Sequence, residues 1–206
     1  KSDLYAFYRS SSSELQEVLI VDGFNRRGSY EELTHDFVKS YIDPLAKIEA
    51  LNISSCSNSG ILTNDLELSN YKIVFWFLGD ESTANETFNK IEQSKIIAYL
   101  ESGGKLFVSG SEIGWDLSEK GDAADKIFYN NYLKANFLVD GALGLAPATG
   151  VANSGFSGVK LDFGVVYPED FPDEIGTTGG SESILTYNNG SIAGIKYRGK
   201  FANSNT

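Results

Sequence analysis

A chain of 206 residues, 41% hydrophobic and 13% aromatic, can bury one sizeable core and needs neither metal nor disulfides to fold. Its formal net charge of -11, with no Lys/Arg cluster beyond Arg26-Arg27, disfavours nucleic acid as a partner, because phosphate contacts require grouped cations. No apolar run approaches the roughly 18 residues of a membrane span, and the single Cys56 excludes an intramolecular disulfide or a multi-cysteine metal site.

The start Lys1-Ser2-Asp3 has no signal-peptide pattern, and a chain without Met reads as an excised or processed fragment. High Asn, Ser, Gly and Tyr content suits an exported bacterial protein, secreted, periplasmic or at the cell surface. Sequons at Asn52, Asn85 and Asn189 read as chance matches in an Asn-rich chain.

Residues 1–16, with the Ser10 to Ser13 run, form a lead-in segment. Glu17 to Val21 is a short apolar run closed by Asp22-Gly23, as expected of a buried parallel strand. Thr34 to Ala50 has a helical pattern, with Asp43-Pro44 kinking it or starting a second helix. Ala50 to Ile53 follows as a second strand, and Cys56 is expected in a polar loop. Tyr71 to Leu78 is the strongest strand pattern. Thr83-Ala84-Asn85-Glu86 has capping-box spacing for a helix that stops at Gly103-Gly104. Lys105 to Val108 is the next strand and Asp122 to Ala135 the next helix.

This rhythm predicts an α/β fold, a parallel central sheet with helices on both faces, which brings the strand C-termini to one edge. After about residue 140 the pattern changes to Gly-rich segments and short strands, with a hairpin at Ile184 to Tyr187 and Ile192 to Lys196. Residues 17–206 are therefore expected as one domain, with about 140–206 a β-rich extension.

Lys105-Leu106-Phe107-Val108-Ser109-Gly110-Ser111-Glu112-Ile113-Gly114 has the form of a nucleophile elbow with a carboxylate at its centre. Together with Val18 to Arg26 and Phe77 to Ser82, this stretch resembles a flavodoxin-like domain. The three motifs are similar to the class I glutamine amidotransferase-like superfamily, specifically the noncanonical domains of exported bacterial proteins labelled xanthan lyase-like or N-acetylmuramoyl-L-alanine amidase-like. The resemblance runs from about Glu17 to Lys200. It implies a flavodoxin-like three-layer sandwich in a cell-wall- or polysaccharide-associated protein, with neighbouring modules on a longer chain. The family's amidotransferases use a Cys at the elbow and a later His-Glu pair. Here Glu112 stands at the Cys position and the only His, His35, precedes the first crossover helix, so the triad is absent.

The strand ends are expected to bring Asp22, Asn25, Arg26, Asp80, Glu81, Ser82, Ser109, Ser111, Glu112, Trp115 and Asp116 toward one crevice. Crowded carboxylates push pKa values apart, which lets a neutral acid and an ionised base coexist near pH 7. Glu112 with Asp80 or Glu81 is the expected pair of a carboxylate-based hydrolase. In the first-placed reading, the crevice instead holds a glycan or peptide without breaking a bond, through Asp22, Asn25, Arg26, Ser82, Ser109, Ser111, Trp115 and Asp116. A structural network in which Arg26 neutralises Glu112 or Asp80 is the third. Trp115 could stack on a sugar ring or belong to the core. No cofactor is expected: the Asp22 to Ser29 loop lacks both flavin and P-loop patterns. The acids leave only a weak case for calcium or magnesium, without an EF-hand pattern.

Overall fold

The structure, a computed structural model, describes residues 8–9, 16–25, 37–48, 51–141 and 144–201. The chain falls into two compact units, the first made of 1–79, 89–110 and 201–206, the second of 80–88 and 111–200.

The first unit is an α/β unit built on a five-stranded sheet. Its strands are β1 (Tyr8–Arg9), β2 (Gln16–Asp22), β3 (Leu51–Ser57), β4 (Ile73–Phe77) and β5 (Lys105–Ser109), in spatial order β1-β3-β2-β4-β5. The last four run parallel, and β1 pairs antiparallel with β3. The chain thus steps from β2 outward to β3 and returns to β4 on the other flank of β2. This central placement explains the unbroken apolar run Val18-Leu19-Ile20-Val21, all four of which are fully buried. At the opposite flank β5 is half-exposed, and Phe107 pairs across the strands with Phe75, ring centroids 5.4 Å apart.

Helices α1 (Val38–Leu45), α2 (Asn58–Leu62) and α3 (Lys90–Glu101) accompany this sheet. Pro44 lies inside α1, which ends one residue later instead of continuing to Ala50. The Ala46 amide still reaches Ile42 at 2.8 Å, and the next two amides, of Lys47 and Ile48, bond only three residues back, to Pro44 and Leu45, as the helix ends. The capping box also differs from expectation. Asn89 Oδ1 accepts from the amides of Ile91 and Glu92 at 3.0 and 3.1 Å, while Glu92 Oε2 accepts from the Asn89 amide at 2.9 Å. Thr83 to Glu86 lies in a loop, and Glu86 has φ +56°, a conformation an α-helix cannot propagate. Cys56 is corrected as well: it lies on β3, where it is buried, and not in a loop.

The second unit carries a six-stranded antiparallel sheet. It contains β6 (Ala135–Val139), β7 (Ala148–Gly150), β8 (Lys160–Leu161), β9 (Glu174–Thr177), β10 (Glu182–Thr186) and β11 (Ile192–Lys196), in order β6-β9-β11-β10-β7-β8. This is the β-rich C-terminal part anticipated from the sequence, beginning a few residues earlier, at Ala135. The β10-β11 hairpin turns through Asn188-Asn189-Gly190, with Gly190 at φ +86°. A π-helical segment, Trp115–Lys120, leads into α4 (Ala123–Asn131), whose start is fixed by a capping box between Asp122 and Asp125. Phe88 packs edge-on against Phe128 at 5.7 Å, tying the 80–88 segment to α4.

Candidate functional site

The expected crevice residues are divided between the two units. Asp22, Asn25 and Ser109 belong to the first; Asp80, Glu81, Ser82, Ser111, Glu112, Trp115 and Asp116 belong to the second. Arg26 and His35 lie outside the described residues.

In the first unit the strand ends are occupied by local bonding. Asp22 Oδ1 accepts from the Phe24 amide at 3.0 Å, a turn-forming contact. Asn25 is exposed and its amide reaches the Gly23 carbonyl at 3.4 Å. Ser109 shares a 2.7 Å hydrogen bond with the Tyr41 hydroxyl, whose ring stacks on Phe77 at 4.9 Å. Burial, reinforced by the nearby Asp22 charge, pushes the Cys56 thiol up to about 12. A nucleophilic cysteine needs the reverse, so this thiol is chemically silent near neutral pH.

The second unit gathers the carboxylates. Glu112 sits on the turn between β5 and the helical turn that opens at Ile113, as the Gly-x-Glu-x-Gly pattern required, and its carbonyl accepts from the Asp116 amide at 3.0 Å. The turn is not a strained elbow. Among the described residues the non-glycine positions with positive φ are Asn64, Glu86, Lys134 and Asn153, and Glu112 is not one of them. Gly114 does serve for close approach. A Cβ there would lie 2.6 Å from the Tyr129 hydroxyl, 2.8 Å from Phe137 and 3.0 Å from Asp173 Oδ2.

The other expected residues have assigned tasks. Asp116 Oδ2 accepts from both the amide and the hydroxyl of Thr87 at 2.7 Å, which anchors the 80–88 segment. Trp115 is half-buried, 6.3 Å from Phe137, and Lys120 Nζ lies 4.1 Å above its ring centroid. A cation therefore lies over one face of the ring. Asp80 and Ser82 are buried, and Glu81 is 1% exposed, which withholds its carboxylate from a substrate in solvent.

Two carboxylates that the sequence reading overlooked complete the cluster. Glu169 accepts a side-chain hydrogen bond from Ser111 and another from the Phe171 amide, yet its carboxyl is pushed up to about 7, first by burial and then by the charges of Asp80 and Glu112. Asp173 is also pushed up to about 7, by burial and by the charges of Glu112 and Asp140, against the lowering effect of two backbone amides. Its Oδ2 accepts from Gly114 N at 2.5 Å and Trp115 N at 3.2 Å, and its own amide donates to the Ser111 carbonyl at 2.8 Å. Glu112 therefore lies inside a turn pinned on both sides by one residue, and its charge acts on both near-neutral carboxyls. The available sign of this was Tyr167-Pro168-Glu169-Asp170-Phe171-Pro172-Asp173-Glu174, four acids in two pairs, each directly after a proline.

A carboxyl that is half protonated near pH 7 can give or take a proton there, and an acid beside it provides the complementary partner. For a cation the arrangement is poorer. Among the described residues no group of three or more His, Cys, Asp or Glu is placed to hold a metal ion. In comparison with known proteins, no family model, no curated protein and no solved structure matches the chain.

Proposed function

We propose that the second unit houses a carboxylate-based hydrolytic site in which Glu169 is the general acid or base and Glu112 its ionised partner. The observation that carries this reading is the elevation of Glu169 to about 7 beside Glu112, with Ser111 orienting it. Asp80 acts as a buried charge that helps hold the proton on Glu169. It is not the acid that meets substrate.

The wider assignment is part of the same proposal. The β3-β2-β4-β5 order, with the first parallel strand flanked by the second and third, is the order of a flavodoxin-like sheet. That order and the three strand-end motifs support a relative of the class I glutamine amidotransferase-like superfamily that lacks the thiol and carries Glu112 in its place. The resemblance favours an exported bacterial protein associated with cell wall or polysaccharide, which makes glycans and wall peptides the substrates to screen.

The test is a hydrolysis screen of glycan and peptide panels with the wild-type chain, Glu112→Gln and Glu169→Gln. Each substitution should cut turnover roughly 10²- to 10⁴-fold, the usual share of a positioned acid or base. In the wild type kcat/KM should change around pH 7, and Glu169→Gln should erase that limb. Ligand binding without turnover, equal in all three proteins, would replace this reading with that of a noncatalytic binding domain.

A further inference from the structure

We propose that Asp173 is a positioning residue for Glu112, a buried carboxyl that clasps the 111–115 turn through Oδ2 and carries its proton on Oδ1. This rests on the reading of Glu112 as a reacting group, and it adds how the group is held and how its charge is tolerated.

Three contacts build the clasp. Asp173 Oδ2 receives the amides of Gly114 and Trp115, and the Asp173 amide is donated to the carbonyl of Ser111, so Glu112 is bracketed before and after. The clasp is itself held, because the Tyr187 hydroxyl donates to the Asp173 carbonyl at 3.1 Å. Gly114 is needed for it: a Cβ there would crowd the carboxylate that grips the turn. The two oxygens of Asp173 differ. Oδ2 has two donors, while Oδ1 is buried and makes no hydrogen bond, in a residue that is 6% exposed. An unbonded buried oxygen is where a proton is least costly, since protonation there removes charge without breaking either amide contact.

The two charges that act on Asp173 push the same way. Glu112 on the turn and Asp140 after β6 both disfavour a second negative charge at Asp173. The phenols of Tyr129 on α4 and Tyr187 after β10 are raised by burial and then by Asp173, so both stay protonated at neutral pH. Asp140 is itself raised by burial, with the Lys120 charge opposing that rise. The clasp therefore persists in both protonation states. Its amide contacts are charge-assisted above the midpoint and neutral below it, and below it Glu112 is relieved of one like charge.

The test follows the Gly114 and Trp115 amides by NMR across pH 5 to 9 in the full chain, in the wild type, Glu112→Gln, Asp173→Asn and Asp173→Ala. Both amides should titrate in the wild type, with the midpoint lowered by roughly 0.5 to 1 pH unit in Glu112→Gln as a like charge is removed. Asn keeps an acceptor for the amides and cannot titrate, so Asp173→Asn should abolish the titration and keep slow hydrogen exchange at both amides. Asp173→Ala should lose both properties. Amides that do not titrate in the wild type, or a midpoint unmoved in Glu112→Gln, would overturn the proposal, and neither result requires the alanine variant to fold. Turnover of the same proteins separates the two claims. A titrating clasp without hydrolysis sinks only the hydrolytic reading, whereas hydrolysis that survives Asp173→Ala at full rate sinks the positioning role.

Discussion

Replacing Asp173 by Asn should make the protein more stable in mild alkali and should flatten its stability between pH 4 and 8. The folded carboxyl titrates at about 7 against an ordinary 3.8. The unfolded chain releases this proton first, so over that interval the folded state binds more protons and stability falls as pH rises. The favourable contribution is complete below the unfolded value and is lost through the folded one. Three pH units at about 1.4 kcal/mol each set an upper bound on the order of 4 kcal/mol, and local relaxation around the charge brings the expected change to about 2 kcal/mol. The residue is 6% exposed, so solvent screening reduces this little. Urea unfolding of wild type and Asp173→Asn at pH 4.5 and 8.5 measures it. The variant should gain about 2 kcal/mol over the wild type at pH 8.5 and stay within about 0.5 kcal/mol of it at pH 4.5. Glu169, raised in the same direction, leaves a residual slope in both proteins. Parallel stability curves for the two proteins would show that Asp173 is ionised throughout and would remove the argument for a buried proton.

Two further outcomes test the surroundings of the cluster. Gly114→Ala places a methyl 2.6 Å from the Tyr129 hydroxyl and 3.0 Å from Asp173 Oδ2. It should cost about 1 to 3 kcal/mol in urea unfolding and speed hydrogen exchange at Trp115, because either the phenol or the clasp must move. Cys56, buried on β3 with its thiol raised to about 12, should resist maleimide at pH 7 in native protein and react readily in urea. Native labelling at the rate of a free thiol would contradict the placement of that residue.

The parallel strands could be read from the sequence because central strands demand uninterrupted apolar runs, and Val18 to Val21 and Ile73 to Phe77 supply them. Leu51-Asn52-Ile53-Ser54-Ser55-Cys56-Ser57 was harder. Its serines suggested a loop, yet Leu51, Ile53 and Cys56 are buried along a strand whose register is dictated by its pairing with β2. Glu112 was legible from local chemistry, a carboxylate between two glycines after an apolar run. Glu169 and Asp173 were not, since they lie in a stretch without helical or strand periodicity. Asp173 stands 59 residues from Gly114, and no spacing rule joins a loop carboxylate to amides that far away. Trp115 by its type could stack on a sugar or belong to the core; it is half-buried, with Lys120, five residues on within the same π-helical segment, over its ring.

One physical effect acts on both the thiol and the carboxyls, with opposite chemical results. Burial beside a negative charge penalises an anion whatever its identity. For Cys56 this lifts a group that already titrates above neutrality out of reach, so the sulfur stays protonated and unreactive. For Glu169 and Asp173 the same penalty starts from a carboxylic acid and ends near neutral pH, where proton transfer is most readily reversible. An apolar, acidic environment is hostile to thiolate catalysis and favourable to acid-base catalysis by carboxyls. A thiolate close to Glu169 and Asp173 would be suppressed as Cys56 is. For the two carboxyls, burial first and the neighbouring charges of Asp80 and Glu112 at Glu169, and of Glu112 and Asp140 at Asp173, bring them into the range in which they can exchange protons.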